Sequence, residues 1–175
     1  FLADNDIAWL EEPLDLVDQH RYPELLEVAA VPVSAGENFL IPPGADFDRV
    51  NEWGLNFNDS GLALDIVQPA VVKNRCFDDA VRLLRFVEER GKVIYPHFLG
   101  SAPGMAVSAQ LASLSHSPHL EWDINPNPLR SECFTEPFRG VDGYLRLSNA
   151  SGLGWDMRPD VFEKWVVATV VVKKD

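Results

Sequence analysis

A short apolar run that ends in two adjacent carboxylates and a proline is the strongest constraint in this sequence. Residues 7–10 read Ile-Ala-Trp-Leu, a composition typical of a buried strand, and Glu11, Glu12 and Pro13 follow directly. Proline cannot donate to a strand ladder, so it ends the strand. Buried carboxylates are costly unless a cation lies near them. The motif therefore predicts a strand end that faces positive charge, most simply a divalent metal ion.

A second strand end repeats the pattern. Residues 31–35 read Val-Pro-Val-Ser-Ala, and Gly36, Glu37 and Asn38 follow them. Two glutamates at the ends of neighbouring strands can share one hard cation, since carboxylate oxygens are preferred ligands of such ions. We interpret Glu11 and Glu37 as candidate metal ligands.

Composition excludes several classes of function. The chain has 175 residues, a formal net charge of −12 and a pI near 4.6, so it lacks the excess of Lys and Arg that nucleic acids and anionic membranes attract. Cys76 and Cys133 lie far apart in the sequence, which predicts unpaired thiols and a cytoplasmic protein. No apolar run approaches the roughly 20 residues of a membrane span. We expect neither a nucleic acid nor a membrane as a partner.

Strands and helices alternate along the first part of the chain. The composition predicts strands centred near residues 9, 33, 66, 94 and 121. Helical patterns lie between them, over residues 22–29, 77–87 and 103–115. Residues 45–61 predict a weaker helix followed by a loop rich in Asn, Asp and Gly. This alternation is typical of βα units in a parallel sheet, and it predicts an α/β fold.

The alternation stops after residue 130. Residues 143–147 and 152–155 predict a short hairpin or meander. Residues 159–167 predict a final helix, and the Val/Lys tail a last strand or a frayed end.

Side chains that carry function in βα barrels gather at the carboxyl ends of the strands. The predicted strands place there Glu11 and Glu12, Glu37, Gln68 or Lys73, His97, and Glu121 and Asp123. Such carboxylates suit Mg²⁺, which binds a few of them and keeps positions open for substrate. A histidine beside that metal could move a proton to or from a carbon next to a coordinated carboxylate. Lys73 is interpreted as a solvated or packing lysine.

Four motifs resemble, in order and spacing, the C-terminal barrel half of the enolase superfamily, and most closely its mandelate racemase and acid-sugar dehydratase branch. They are Trp-Leu-Glu-Glu-Pro at 9–13, Ala-Gly-Glu-Asn at 35–38, Asp-Ile-Val-Gln-Pro at 65–69 and Tyr-Pro-His-Phe at 95–98. The resemblance implies the C-terminal portion of a (β/α) TIM-type barrel, strands four to eight, over residues 1–130. Residues 131–175 would form a C-terminal extension that packs on the barrel or returns to a capping domain absent here.

The resemblance also implies roles for individual residues. Glu11 and Glu37 match the second and third ligands of Mg²⁺. His97 matches the acid or base of the seventh barrel strand, and Glu121 the acid of the eighth strand that hydrogen-bonds the substrate carboxylate. The remaining candidates, Glu12, Asn38 and Gln68, would contact the ligands or the substrate. The lysine base and the aspartate that supplies the first ligand would lie outside these residues.

Two departures from the family pattern change the expected reaction. The family has an aspartate after Gln68-Pro69 that orients the histidine, and this sequence has Ala70. A glycine pair a few residues later is replaced by Arg75-Cys76. Unless Asp65 or a loop carboxylate substitutes, His97 would lack the partner that fixes its tautomer, so a racemase with two bases is less favoured than a dehydratase.

Three functions remain open at this point. The favoured one is Mg²⁺-dependent removal of the proton alpha to a carboxylate, through an enediolate, with dehydration of an acid sugar. The second is racemisation or epimerisation of a hydroxy acid. The third is a catalytically incomplete half-barrel with a structural role. Five strands of a barrel leave open edges, so we expect a homo-oligomer or a requirement for a missing N-terminal half. The absence of an initial Met also suggests a fragment.

Overall fold

The computed structural model describes residues 1–39, 57–58, 61–74 and 76–171. The strands of these residues are β1 (Leu10–Glu11), β2 (Val33–Ala35), β3 (Phe57–Asn58), β4 (Gly61–Leu62), β5 (Ile66–Val67), β6 (Val93–Ile94), β7 (Gly140–Val141) and β8 (Tyr144–Leu145). Four of them form the central parallel sheet, in the order β1-β2-β5-β6. The predicted α/β fold with parallel strands is confirmed.

The register of the sheet brings the strand ends to one edge. Glu11 lies opposite Ser34, and backbone hydrogen bonds continue past the paired residues, from the Glu12 amide to the Ser34 carbonyl at 2.9 Å and from the Gln68 amide to the Ala35 carbonyl at 2.8 Å. Since all four strands run in the same direction, the residues that follow them share the carboxyl edge.

In the described ranges five α-helices accompany the strands: α1 (Tyr22–Val28), α2 (Phe77–Glu88), α3 (Ala102–Ser113), α4 (Pro128–Ser131) and α5 (Pro159–Trp165). The three helices predicted within 22–115 outside the 45–61 segment are confirmed. In α2 the sequence signals are realised locally: Asp78 and Asp79 lie in the first turn, and Gly91 follows the end with φ of +70°. Acidic residues at the start and a left-handed glycine beyond the end are the placements that the helix dipole and C-cap favour.

The main core lies between the sheet and the helices. Tyr22 of α1, Val33 of β2, Leu83 and Leu84 of α2 and Leu111 of α3 are all fully buried in it. Strands covered by helices have apolar side chains on both faces, which explains the continuous apolar runs of the sequence.

A second apolar cluster joins the C-terminal segment to α3. Ala102 and Ala106 of α3 are buried against Cys133, Phe134 and Val161. The Phe138 and Trp155 rings extend this cluster, with centroids 4.5 Å apart. The segment after residue 130 therefore packs on a helix of the α/β unit, while the domain division at residue 130 stays a prediction.

The fifth predicted strand, around residue 121, is wrong: residues 119–124 form no strand. The backbone of residues 96–98, which follow β6, explains why no strand forms there. Pro96 has no amide proton to donate, and the Phe98 amide donates instead to the Glu121 carboxylate at 2.7 Å. The segment also turns much of its apolar surface outward, with Ile124 87% exposed.

The predicted C-terminal hairpin has a different partner strand. The structure pairs β7 with β8, where the sequence predicts 143–147 with 152–155. Asp142 and Gly143 both have positive φ, at +51° and +79°, as a two-residue hairpin turn requires. The last helix is confirmed. Residues 166–171 form no strand, so the first of the two alternatives predicted for the tail, a last strand, is wrong there.

The predicted helix within 45–61 lies mostly outside the described residues. At its end the structure pairs β3 with β4 in an antiparallel ladder, where the sequence predicts a loop. Among the helices of the described residues, none combines the length and apolar composition that a membrane crossing requires.

A buried carboxylate ties α2 to the segment after α3. One oxygen of Glu88 accepts hydrogen bonds from the His116 amide at 2.7 Å and the Ser115 hydroxyl at 3.0 Å, and the other lies 3.1 Å from Arg85. Burial acts to raise the pKa of Glu88. The hydrogen bonds from His116 and Ser115 and the charges of His116 and Arg85 outweigh it, so the pKa is lowered.

We expect Glu88→Gln to reduce the free energy of unfolding at neutral pH by about 1.5–3 kcal/mol, the usual contribution of hydrogen bonds to a charged group. A lowered folded-state pKa stabilises the protein above the unfolded pKa, and this contribution is lost as pH falls through the folded pKa. The difference between the variant and the unmutated chain should therefore shrink in acid. Urea unfolding at several pH values measures it, with exposed Glu89→Gln as the control. A difference that persists unchanged in acid would contradict the assignment.

Candidate functional site

Three side chains that the sequence singled out meet at the carboxyl edge of the sheet. His97, which follows β6, has its Nε2 atom 3.0 Å from Oε2 of Glu37 and 3.8 Å from Oε2 of Glu121. Glu37 follows β2, and Glu121 is held by the Phe98 amide. The His97 side chain is 15% exposed, so one edge of a largely buried imidazole faces two carboxylates.

A second carboxylate oxygen of Glu37 is held from the other side. Asn38 Nδ2 donates to Glu37 Oε1 at 2.9 Å, and Lys73 Nζ donates to Asn38 Oδ1 at 3.0 Å. Lys73 Nζ also lies 4.0 Å from Glu37 Oε1. The sequence interpretation of Lys73 as a solvated or packing residue missed this contact, although its place just after β5 was a usable signal.

Glu11 belongs to a separate hydrogen-bonded group. Its Oε2 accepts from Gln68 Nε2 and from Trp9 Nε1, each at 3.1 Å. Gln68 is 4% exposed, and its Oε1 atom is buried without a hydrogen-bond partner. No hydrogen bond or ion pair joins Glu11 to Glu37 or His97, all of which lie in the described part of the chain.

Glu12 is turned toward the backbone of the next strand end. Its Oε1 accepts from the amides of Gly36 at 2.7 Å and Glu37 at 3.1 Å, and its Oε2 lies 3.5 Å from the Tyr22 hydroxyl. Burial and the negative charge of Glu12 raise the pKa of Tyr22 well above its ordinary value, so the phenol stays protonated.

The departure at position 70 has a structural counterpart. Ala70 is buried, and the Nδ1 atom of His97 is also buried and has no hydrogen-bond partner. The sequence predicted that His97 would lack the carboxylate that orients it. In the described residues Nδ1 has no hydrogen-bond partner, and the carboxylates of Glu37 and Glu121 face Nε2 instead.

Asp123 is bound by neighbouring residues and does not reach His97 or Glu37 in any described contact. It accepts from the Asn125 amide at 2.8 Å and pairs with Arg130. The Asn125 hydrogen bonds, acting against burial, and the Arg130 charge lower the pKa of this carboxyl. Asp123 therefore has a structural partner that Glu121 does not share.

The candidate ligand atoms at this edge are oxygens of the type that Mg²⁺ prefers, but they are few. Glu11 is the last residue of β1, and Glu37 follows the adjacent strand β2. The unpartnered Gln68 Oε1 is a further hard oxygen beside Glu11. Within the described ranges no three acidic, histidine or cysteine residues form a group able to hold a metal ion. Ligation by Glu11 and Glu37 stays a prediction.

Parallel strands, strand-end carboxylates and a histidine define the class to which this chain belongs. The sequence profile of the enolase C-terminal domain-like family matches residues 1–161, so the chain is a member of that family. The resemblance predicted from the four motifs is confirmed.

Individual relatives are enzymes that act on acid sugars. The chain is 24% identical over 168 residues to D-galactarolactone cycloisomerase of Agrobacterium fabrum, covering 91% of this chain and 42% of the relative. It is 25% identical over 164 residues to L-talarate/galactarate dehydratase of Salmonella typhimurium, covering 94% and 36%. The chain thus spans less than half the length of these curated relatives.

The fold is shared with solved structures. The crystal structure of the 3,6-anhydro-D-galactonate cycloisomerase from Zobellia galactanivorans superposes with a TM-score of 0.77 at 24% identity, covering 93% of this chain and 44% of that one. This coverage agrees with a partial barrel.

We expect Gly36→Ala to reduce the free energy of unfolding by about 2–4 kcal/mol, because backbone strain at positive φ and overpacking add together. Gly36 has φ of +130°, and an added Cβ would lie 3.0 Å from the Phe39 ring and 3.1 Å from the Gln68 amide nitrogen. Gly91→Ala is the matched control, because it has positive φ but open space around the added carbon. Equal losses of unfolding free energy in the two variants would contradict the steric argument.

Proposed function

We propose that this chain supplies part of the active site of a Mg²⁺-dependent acid-sugar dehydratase. The reaction removes the proton alpha to the substrate carboxylate and expels the β-hydroxyl as water. The observation that carries the proposal is the convergence of Glu37, His97 and Glu121 at the carboxyl edge of a parallel sheet. This edge is where βα folds place their catalytic side chains.

The relatives support the choice of substrate class. Their names specify D-galactarolactone and L-talarate or galactarate, and a third relative, 26% identical over 103 residues, is an arabinonate dehydratase of Saccharolobus solfataricus. All of these compounds are sugar acids or their lactones. A small polyhydroxy carboxylate is therefore the substrate that we propose.

Glu11 and Glu37 would hold the metal ion. When bound, Mg²⁺ supplies positive charge that offsets the negative charge developing on the substrate carboxylate. Gln68, which donates to Glu11, would keep that carboxylate in place.

His97 would deliver the proton to the departing hydroxyl. Its Nε2 atom faces the carboxylates of Glu37 and Glu121, which accept hydrogen bonds, so a proton is favoured on this nitrogen. A histidine that holds a proton toward the site acts as a general acid. Racemisation is the less favoured alternative, because Nδ1 of His97 lacks a hydrogen-bond partner that would fix the tautomer and orient the ring.

A structural role is the second candidate. The absence of a three-residue metal group in the described ranges and the unpartnered Nδ1 of His97 both favour a catalytically incomplete half-barrel. On this alternative the chain would need a second polypeptide to close its sheet edges.

We expect this chain to bind Mg²⁺ in calorimetric titration, and Glu11→Gln and Glu37→Gln each to weaken binding by at least about tenfold, because each removes a charged oxygen ligand. Glu27→Gln on the exposed face of α1 is the control for the same chemical change. Absence of binding in the unmutated chain would favour the structural candidate.

In a protein that also supplies the base and the first metal ligand, we expect His97→Asn to lower dehydration of galactarate by about 100- to 10,000-fold, the usual contribution of a general acid. Formation of the keto-acid product measures the rate. Mg²⁺ affinity should change less than in Glu37→Gln, because His97 is assigned to proton transfer and not to the metal. Exposed His20→Asn is the control, and equal rates in His97→Asn and the unmutated protein would rule out this role.

A further inference from the structure

We propose that Glu12 is a positioning residue that sets the place and direction of Glu37. The inference rests on the proposed function in one respect, since it gives Glu37 the role of a metal ligand. The two adjacent glutamates of the first strand end then have different tasks: Glu11 bonds to Gln68, and Glu12 organises the neighbouring strand end.

A single oxygen atom of Glu12 receives two consecutive backbone amides. Oε1 accepts from Gly36 at 2.7 Å and from Glu37 at 3.1 Å. Because both bonds converge on one atom, they fix the peptide plane between these residues, and with it the direction in which the Glu37 side chain leaves the backbone. Hydrogen bonds from amides to a charged acceptor are among the stronger ones in proteins.

The backbone of Glu12 is adapted to this contact. Its φ is +41°, one of only three positive φ values among non-glycine residues in the described ranges. Side chains seldom tolerate this region, and such residues persist where the surrounding structure holds them. As a result, the carboxylates of these two consecutive residues have different partners. Glu11 bonds to Gln68, and Glu12 bonds to the backbone at Gly36 and Glu37.

The side chain of Glu37 is held independently of its backbone. Asn38 Nδ2 donates to Oε1, and Lys73 in turn donates to Asn38. The other oxygen faces His97. With its backbone fixed by Glu12 and one oxygen fixed by Asn38, Glu37 has little freedom left, which is the condition for a preorganised ligand.

Three variants separate the parts of this arrangement. Glu12→Gly removes the carboxylate while fitting the positive φ, so the chain is spared added backbone strain. Glu12→Gln keeps one carbonyl oxygen that can accept both amides but removes the charge. Tyr22→Phe removes only the hydroxyl that faces Oε2. Glu27→Gln is the matched control for the loss of an exposed charge.

The primary measurement is NMR of the Gly36 and Glu37 amides in the metal-free chain. In Glu12→Gly we expect both amide protons to shift upfield and to lose protection from hydrogen exchange, with a smaller change in Glu12→Gln and none in Glu27→Gln. Unchanged amides in Glu12→Gly would overturn the proposal. This readout does not depend on whether the chain binds a metal ion, so it separates the inference from the proposed function.

The second measurement is Mg²⁺ affinity in the same variants. We expect Glu12→Gly to raise the dissociation constant by about 10- to 100-fold, the usual effect of losing a group that orients a ligand, and Glu12→Gln by less. Tyr22→Phe should leave it nearly unchanged. If Glu12→Gly perturbs the amides but leaves Mg²⁺ affinity equal to that of Glu27→Gln, Glu12 is a structural residue and the positioning role is refuted.

Discussion

The parallel backbone ladder is the interaction on which the rest of this structure depends. It aligns β1, β2, β5 and β6 in one direction, so that residues far apart in the sequence share one edge of the sheet. The bonds from the Glu12 and Gln68 amides continue the ladder to the very end of the strands. The helices bury the faces of the sheet, which leaves this edge as the place where polar side chains can gather.

Negative charge is the second constraint at this edge. Four glutamates lie there in a chain of net charge −12. Each of them accepts hydrogen bonds from a different group. Glu11 accepts a hydrogen bond from Gln68, and Glu12 accepts from backbone amides. Glu37 accepts from Asn38 and contacts His97, and Glu121 accepts from the Phe98 amide. Hydrogen bonds of this kind lower the cost of bringing several carboxylates to one edge, and a bound cation would lower it further.

Sequence reasoning succeeded where a single local pattern decided the outcome. The helix of residues 77–88 follows from its apolar spacing, its acidic first turn and the glycine beyond its end. It failed where a strand needed a partner: residues around 121 look like a strand, but the Phe98 amide bonds to a carboxylate. It also did not predict the bond from Lys73 to Asn38: the position after β5 places Lys73 at the carboxyl edge but does not show which side chain lies within reach.

The sequence by itself determined the α/β class, the parallel order of its elements, the family and the candidate residues, because apolar periodicity and short motifs are properties of neighbouring positions. Only the tertiary structure decided how those residues divide their work. Glu11 and Glu12 are adjacent and chemically identical, yet one bonds to Gln68 and the other to the backbone of Gly36 and Glu37. That division depends on a positive φ at Glu12 and on strand register, and both arise from contacts between segments that lie far apart in the chain.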